Sequence, residues 1–257
     1  MPSARFRFAP SPNGRLHLGH AYSALLNEQM ARQAGGALLL RIEDTDQTRC
    51  KPEFTHACIA DLHWLGIAFA PNPRIQSEHF EDYDAALRKL WELDAIYPCF
   101  CSRKQVAGHA RSGHDPDGQP HYGGTCAGLS REVAESKMAA AEQHGWRLRT
   151  AGTDAASWGD VMIAKRHVGS CYHIAVVVDD ALQGITHVVR GQDLQAATPI
   201  HLLLQDLLGL PHPAYHHHAL VQDGAGRKLA KSAGDTSLAE LRAEGFTPAR
   251  IRAQLGF

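Results

Sequence analysis

The start of the chain alternates between strand-like and helix-like patterns of apolar positions. A short apolar run at residues 6–9 precedes a turn rich in Pro and Gly, and residues 21–32 then carry apolar side chains at helical spacing. The apolar run at residues 37–42 is too short for a second helix of that length, so it predicts a buried parallel strand. A strand, a helix and a strand make the first crossover unit of a nucleotide-binding α/β fold.

The pattern further along the chain predicts more helices, short strands and one inserted segment. Helices are predicted over residues 52–65, 83–93, 130–144 and 199–208. Strands are predicted over residues 146–149, 172–180 and 185–193. The segment 172–180 is rich in β-branched residues, which is typical of a buried strand. Because the first half of the sheet ends near residue 97, we interpret the residues between the two halves as an insertion.

Composition narrows the class of protein. The formal net charge of -1 argues against a protein that coats nucleic acid indiscriminately, and leaves a specific RNA contact through a local basic patch open. No run approaches the roughly 18 apolar residues of a membrane span, and the first residues lack the apolar core of a secretory signal. We therefore expect a cytoplasmic protein with no membrane partner. Six cysteines are too sparse for a disulfide framework, and clustered cysteines favour a metal.

The loop at residues 9–17 is the first candidate site. A helix that begins near Leu18 or Gly19 points free N–H groups and a partial positive charge into this loop, where a phosphate would be held. His17 and His20 flank that position, and Gly19 leaves room for a flat ligand such as adenine or ribose. Histidines that only cap the helix or lie in solvent are the structural alternative.

Charged residues also follow two of the predicted strands. Glu43, Asp44 and Asp46 come directly after the strand at residues 37–42, at the edge where open parallel sheets bind ligands. An acidic turn that caps the next helix is the structural alternative for these three residues. Arg190 ends a later strand, where a guanidinium can hold a carboxylate through two parallel hydrogen bonds. A buried structural salt bridge is the alternative for Arg190.

The segment at residues 99–128 changes character. It is rich in Gly, His, Asp and Pro, so it cannot bury much of a core of its own. Its soft metal ligands are Cys99, Cys101 and Cys126. A structural zinc site needs four ligands, and the candidates for the fourth are His114, His121 and Tyr122. On chemistry alone we favour a histidine, because an ordinary tyrosine titrates near pH ~10 and must lose its proton to bind well. Three unligated thiols are the alternative.

Two separate motifs resemble those of the class I aminoacyl-tRNA synthetases. APSPNGRLHLGH at residues 9–20 resembles the HIGH motif with the flanking residues of the glutamyl and glutaminyl branch. KLAKS at residues 228–232 is similar to the mobile KMSKS loop, with Leu229 and Ala230 in place of the family's Met and first Ser. RIEDTD at residues 41–46 also resembles this branch, in which the glutamate at Glu43 faces the ammonium group of the substrate. On this resemblance we favour a ligand role for Glu43 and a structural role for Asp44 and Asp46. The two main motifs have the order and the separation that the family requires.

The resemblance implies an activity and a set of site residues. It implies that a glutamate carboxylate attacks the α-phosphorus of ATP, with Mg²⁺ bridging phosphates, and that the glutamyl-adenylate then acylates an RNA hydroxyl. The implied catalytic residues are His17, His20, Lys228 and Lys231. The implied ATP-binding residues are His17, Gly19, His20 and Lys231. The implied glutamate-binding residues are Arg7, Ala9, Ser11, Glu43, Tyr172 and Arg190. The zinc pattern of the short glutamyl synthetase paralogues falls on Cys99, Cys101, Tyr122 and Cys126.

The expected fold is α/β, with the Rossmann-like parallel sheet of a class I synthetase catalytic domain, a zinc-containing insertion and a short helical tail. The expected domains are a first catalytic half at 1–98, the insertion at 99–160, a second catalytic half with the KMSKS-like loop at 161–232, and the tail at 233–257. Because 25 residues follow Ser232, we expect no anticodon-binding domain.

The short tail implies a resemblance to one branch of the family in particular. This branch is the truncated glutamyl-queuosine tRNA(Asp) synthetases, which join glutamate to a modified base in the tRNA(Asp) anticodon. The implied partners are ATP, L-glutamate and tRNA(Asp) that carries queuosine, and we expect a monomer. The alternatives are a catalytic fragment of an ordinary glutamyl-tRNA synthetase and a non-catalytic RNA-binding module of the same fold.

Overall fold

The computed structural model of the protein describes residues 3–108, 113–165, 172–222 and 236–257. Its strands are β1 (Arg5–Phe8), β2 (Ala37–Ile42), β3 (Arg74–Ile75), β4 (Ile96–Cys99), β5 (Gly145–Leu148), β6 (Val161–Ala164), β7 (His187–Gly191) and β8 (Ala214–His218). Its helices are α1 (Leu18–Gln33), α2 (Pro52–Trp64), α3 (Phe80–Glu92), α4 (Arg103–Gly108), α5 (Arg131–Ala139), α6 (Tyr172–Leu182), α7 (Thr198–Leu208), α8 (Leu238–Ala243) and α9 (Pro248–Leu255).

The chain divides into two compact units. The first comprises Met1–Glu78, Leu182–Gln195 and Pro213–Phe257, and the second comprises His79–Ala181 and Ala196–His212. Each unit takes residues from more than one part of the sequence. The domain boundaries predicted after residues 98, 160 and 232 stay predictions.

The first unit is built on a parallel sheet. Over the described residues this sheet has five strands in the order β3-β2-β1-β7-β8. Phe6 lies opposite Leu38 and Phe8 opposite Leu40 in the parallel pairing of β1 with β2, and α1 connects these two strands. Both phenylalanines share an apolar core with Leu25 of α1, and burying one such side chain contributes roughly 1.5–3 kcal/mol. The predicted strand, helix and strand, and the predicted parallel sheet, are confirmed.

The second unit contains an antiparallel sheet. Its three described strands lie in the order β4-β5-β6, with Ile96 opposite Leu148 and Trp146 opposite Ala164. The core beside this sheet is formed by apolar residues of α3, α6 and α7, among them Leu90. The strand predicted at residues 146–149 is therefore confirmed within one residue, as part of this sheet.

The strand predicted over residues 172–180 is wrong, because this segment forms α6. All seven residues from Ile174 to Asp180 are buried. A helix without an exposed face shows no 3.6-residue alternation, and its valine run then resembles a buried strand. The buried carboxylate of Asp179 accepts a hydrogen bond from the Tyr83 hydroxyl, whose oxygen lies 3.1 and 3.0 Å from the two carboxylate oxygens. This contact fixes α6 against α3.

The C-terminal segment of the first unit is attached to the loop before α1. The Leu238 N–H donates to the Leu16 carbonyl at 2.8 Å, and Ser237 forms an antiparallel bridge with His17. Ser237 also caps α8, since its Oγ accepts from the Glu240 N–H at 3.2 Å. No helix in the described ranges has both the length and the apolar character needed to cross a bilayer.

Candidate active site

Two histidines form the beginning of α1. His17 is the N-cap residue, and its Nδ1 accepts a hydrogen bond from the Gly19 N–H at 3.1 Å. The Nδ1 of His20 accepts in turn from the His17 N–H at 3.2 Å, which makes a reciprocal capping box. An imidazole nitrogen that accepts such a bond carries no proton, so the neutral rings carry theirs on Nε2. Each ring therefore has an Nε2–H donor at the positive end of the helix.

Gly19 lies against the ring of its own N-cap residue. A Cβ at this position would lie 2.9 Å from Cε1 and 3.1 Å from Nδ1 of His17. The missing side chain thus makes room for the His17 ring. Whether it also makes room for adenine or ribose stays a prediction.

Three adjacent parallel strands bring polar residues to one face of the sheet at its carboxyl edge. The opposite face, packed on α1, consists of the core residues Phe6, Phe8, Leu40, Ile42 and Val189. Because side chains alternate along a strand, Arg7 and Arg190 belong to the face away from α1, as does Arg41, whose guanidinium contacts the Glu43 carboxylate. Arg7 and Arg190 are only 4% and 5% exposed. Three of the six residues predicted to bind glutamate, Arg7, Glu43 and Arg190, are therefore on one face of one unit.

Glu43 is held by its neighbours. Its N–H donates to the Pro10 carbonyl at 3.0 Å, and its carboxylate accepts from the Arg41 guanidinium at 3.3 Å. Arg41 is completely buried and also donates to the side-chain oxygen of Gln183 at 3.1 Å. Sequence reasoning assigned no role to Arg41. The signal that could have found it is a single charged residue within an otherwise apolar strand.

Cys50 connects Ser11 to the same site. Its Sγ lies 3.7 Å from the Ser11 hydroxyl and donates to the Glu43 carbonyl at 3.8 Å. Burial raises the pKa of the Cys50 thiol above its ordinary value, so the group is neutral and can act as this donor. Sequence reasoning also missed Cys50, since nothing local distinguishes it from an ordinary buried cysteine.

The two aspartates after β2 serve the local fold, as their interpretation as structural residues expected. The Asp44 carboxylate accepts from the Ser77 N–H at 2.8 Å and from the Ser77 hydroxyl at 2.7 Å. The Asp46 carboxylate accepts from the Thr48 hydroxyl at 2.6 Å and from Arg49 Nε at 2.8 Å. The hydrogen bond from Thr48 and the Arg49 charge outweigh desolvation and lower the pKa of Asp46.

Three further residues were predicted to belong to the site. Tyr172 is the first residue of α6 in the second unit, where its ring packs edge-on against His173 at 5.4 Å and His201 at 5.6 Å. Lys228 and Lys231 lie outside the described residues. The roles assigned to all three stay predictions.

The second unit brings the four predicted metal ligands together. The Sγ atoms of Cys99, Cys101 and Cys126 all lie within 4.8 Å of one another, and the last two are 3.6 Å apart. The Tyr122 hydroxyl lies 3.5 Å from Cys99 Sγ and 3.4 Å from Cys101 Sγ. A tetrahedral zinc ion with bonds of about 2.3 Å to sulfur separates its sulfur ligands by about 3.8 Å. The donor set and its spacing therefore fit a zinc ion.

The geometry favours Tyr122 over the two histidines as the fourth ligand. His121 Nε2 lies 3.0 Å from the Ser157 carbonyl. His114 pairs its backbone with Pro120. Among the described residues, no histidine nitrogen lies close enough to the three thiols to share a metal ion with them. The preference for a histidine, which rested on chemistry alone, is therefore not supported by the positions of these side chains.

A guanidinium lies beside the cysteine cluster. Arg147 Cζ is 3.8 Å from the centre of the Tyr122 ring, and Arg147 also donates to the Asp160 carbonyl at 2.6 Å. Burial raises the pKa of the Cys101 thiol. At Cys99 burial is outweighed by the neighbouring Tyr122 hydroxyl and Arg147, so the pKa of this thiol lies below its ordinary value. The positive charge of Arg147 thus favours the thiolate form that a metal requires.

Comparison with known proteins decides the family. Residues 3–256 match the family described as tRNA synthetases class I (E and Q), catalytic domain. The chain belongs to this family. The predicted enzyme class, a ligase of the aminoacyl-tRNA synthetase type, is confirmed, and so is the predicted α/β catalytic fold.

Individual relatives agree with this assignment. The chain is 44% identical to the glutamyl-Q tRNA(Asp) synthetase of Rhodobacter capsulatus, over 97% of this chain and 99% of that protein. It is 37% identical to the glutamate–tRNA ligase of Prochlorococcus marinus, over 95% of this chain and 56% of that protein. The crystal structure of a glutamate tRNA ligase from Elizabethkingia meningosepticum in complex with its amino acid matches with a TM-score of 0.76 and 25% identity, over 91% of this chain and 53% of that one. The chain thus spans about half the length of these two glutamate ligases.

Proposed function

We propose that the protein activates L-glutamate with ATP and transfers it to the queuosine base in the anticodon of tRNA(Asp). One observation carries the activation step. The first unit holds two Nε2–H donors at the start of α1, and it places a carboxylate and two buried guanidiniums at the carboxyl edge of the adjoining strands. An anionic nucleotide and a zwitterionic amino acid have the charges that these groups complement.

In this proposal the side chains position the reactants and stabilise charge. Arg7 and Arg190 hold the side-chain carboxylate of glutamate, and Glu43 faces its ammonium group. Ala9 and Ser11 complete this part of the site. The α-carboxylate of glutamate then attacks the α-phosphorus of ATP and displaces pyrophosphate, a reaction that depends mainly on positioning and electrostatics.

In this proposal, hydrogen-bond donors and ammonium groups stabilise the negative charge that develops on the phosphate oxygens. His17 and His20 donate from Nε2 at the α1 N-terminus, beside Gly19, and Lys228 and Lys231 add two ammonium groups. Ser237, six residues after Lys231, forms a bridge with His17, which supports the approach of the two motifs. Mg²⁺ bound with ATP would supply further positive charge to the phosphates.

We also propose that Cys99, Cys101, Tyr122 and Cys126 hold a structural zinc ion. Four protein ligands fill a tetrahedral site, so no position remains for a substrate. The ion would compensate for the small core of the glycine-rich segment that supplies these ligands.

The tRNA substrate separates this proposal from its alternatives. We expect glutamate-dependent ATP–pyrophosphate exchange without tRNA, followed by transfer of radiolabelled glutamate to tRNA(Asp) that carries queuosine and not to tRNA(Glu). Coverage of 99% of the R. capsulatus protein supports this choice of tRNA. Charging of tRNA(Glu) would instead identify an ordinary glutamyl-tRNA synthetase, and the lack of exchange would identify a non-catalytic module.

Gly19→Ala tests the packing at the start of α1. We expect glutamate-dependent exchange to fall at least about tenfold, because the added Cβ displaces the His17 ring and its Nε2 donor. The midpoint of thermal unfolding should change little, since the gain of about 1 kcal/mol from replacing Gly in a helix offsets the loss of about 1 kcal/mol from a weakened cap. Unchanged exchange would contradict the role given to the His17 ring position.

A further inference from the structure

The Arg190 guanidinium has a neutral partner on the neighbouring strand. In the parallel pairing of β7 with β8, Arg190 lies directly opposite His217. The Arg190 Nε donates a hydrogen bond to His217 Nε2 at 3.3 Å. We propose that His217 is a positioning residue that orients the Arg190 fork towards the side-chain carboxylate of glutamate. This inference rests on the proposed function of Arg190 as a glutamate-binding residue.

The geometry of an arginine explains why the Nε contact matters. A guanidinium is planar, and the two terminal nitrogens form the fork that matches a carboxylate. A hydrogen bond at Nε restricts rotation of the guanidinium plane about the Cδ–Nε bond. The side chain therefore loses less rotational freedom when glutamate binds. A second guanidinium or an ammonium at position 217 could not do this, because neither can accept the Nε–H.

His217 has the properties that this role requires. Burial, together with the adjacent Arg190 charge, lowers its pKa, so the ring is neutral at neutral pH and Nε2 can accept. Its proton then lies on Nδ1. The ring is nearly parallel to that of Tyr215, at an angle of 5° with 6.2 Å between centroids, and Arg190 Cζ lies 5.1 Å from the centre of the Tyr215 ring. Tyr215 thus supports both partners from the same face of β8.

The neighbouring histidine provides a matched control. His216 follows Tyr215 and precedes His217 in β8, but it is exposed, and strand alternation places it on the opposite face. Replacement of His216 removes the same ring from the same strand without touching Arg190. His217→Gln provides the second comparison, because the glutamine side-chain oxygen can reach the place of Nε2 and accept the same hydrogen bond.

The functional test measures ATP–pyrophosphate exchange of the full chain against L-glutamate concentration. We expect His217→Ala to raise the KM for glutamate about 10- to 100-fold, the usual effect of losing a hydrogen bond to a charged group. The KM for ATP and kcat should change less than about twofold, and the effect of His217→Gln should be under about threefold. His216→Ala should match the parent protein. An unchanged glutamate KM in His217→Ala, or equal losses in His217→Ala and His217→Gln, would overturn the inference.

A second measurement distinguishes failure of this inference from failure of the proposed function. The Nε–H resonance of Arg190, assigned by its disappearance in Arg190→Lys, should exchange slowly with water in the parent protein and in His217→Gln. It should exchange at least about tenfold faster in His217→Ala, and unchanged exchange would refute the contact whatever the enzyme activity is. If the parent protein lacks glutamate-dependent pyrophosphate exchange, the proposed function fails and the resonance alone decides the role of His217.

Discussion

His17→Asn and His20→Asn are expected to reduce glutamate-dependent ATP–pyrophosphate exchange by roughly 10²- to 10³-fold each, the usual loss when one preorganised donor to a developing negative charge is removed. An asparagine side chain places its oxygen near the position of the histidine Nδ1. Asn at position 17 can therefore still accept the hydrogen bond from the Gly19 N–H, as His17 does. Asn at position 20 can still accept the one from the N–H of residue 17, as His20 does. What it lacks is a donor at the position of Nε2.

Comparing Asn with Ala substitutions separates the two roles of each ring, which are to cap the helix through Nδ1 and to donate a hydrogen bond from Nε2. His20→Ala removes both the capping acceptor and the Nε2 donor, so it should lose exchange and also about 1 kcal/mol of stability. His20→Asn should lose exchange alone, with its unfolding midpoint close to that of the parent protein. Lys231→Ala should likewise lose exchange. If His17→Asn and His20→Asn retained full exchange, these histidines would be helix caps only.

The sequence predicted local elements well where one side of an element is exposed. For α1, apolar spacing and the Gly residues after it were enough, because the helix has a buried side with a recognisable period. β2 is buried on both faces, and the shortness of its apolar run indicated a strand. The same reasoning was wrong for α6, in which all seven residues from Ile174 to Asp180 are buried. Burial on all faces removes the alternation on which the prediction depends.

The candidate site shows a second limit, which is register. Arg41 and Glu43 lie two residues apart on β2, and their contact could be inferred from strand geometry alone. The contact of Arg190 with His217 depends on which residue of β8 lies opposite β7, and the sequence between them does not encode that pairing in any local signal. The order β3-β2-β1-β7-β8 is a long-range property of the same kind.

The proposed metal ligands were predictable to a different degree. The spacing of the three cysteines indicated a cluster without any knowledge of the fold. The proposed fourth ligand, Tyr122, was not predictable from chemistry, which favours imidazole over phenol. The identity of this ligand depends on the positions of the side chains in the folded protein. The His121 ring lies against the Ser157 carbonyl, whereas the Tyr122 hydroxyl contacts two of the thiols.

Cys126→Ser is expected to abolish stoichiometric zinc binding. Changes next to a metal ligand already cost roughly 10- to 100-fold in affinity, so the loss of one thiolate ligand should exceed that range. Since the ion contributes to folding, the unfolding midpoint should fall, and amide exchange should rise around residues 99–128. Metal content by mass spectrometry, thermal unfolding and hydrogen exchange provide the measurements. Cys58→Ala is the control, because Cys58 is a buried cysteine of α2 in the other unit. We expect this variant to retain its zinc.

Tyr122→Phe tests the fourth position with the smallest possible change. It removes only the hydroxyl that lies 3.5 and 3.4 Å from two of the sulfurs, and it keeps the ring that packs against Arg147. If the phenol oxygen is a ligand, zinc should be lost to a competing chelator at least about tenfold faster. His121→Ala, in contrast, should lose zinc at the rate of the parent protein, because the His121 ring contacts the Ser157 carbonyl and not the thiols. The reverse result, with rapid loss in His121→Ala and the parent rate in Tyr122→Phe, would show that a histidine completes the site after a local rearrangement.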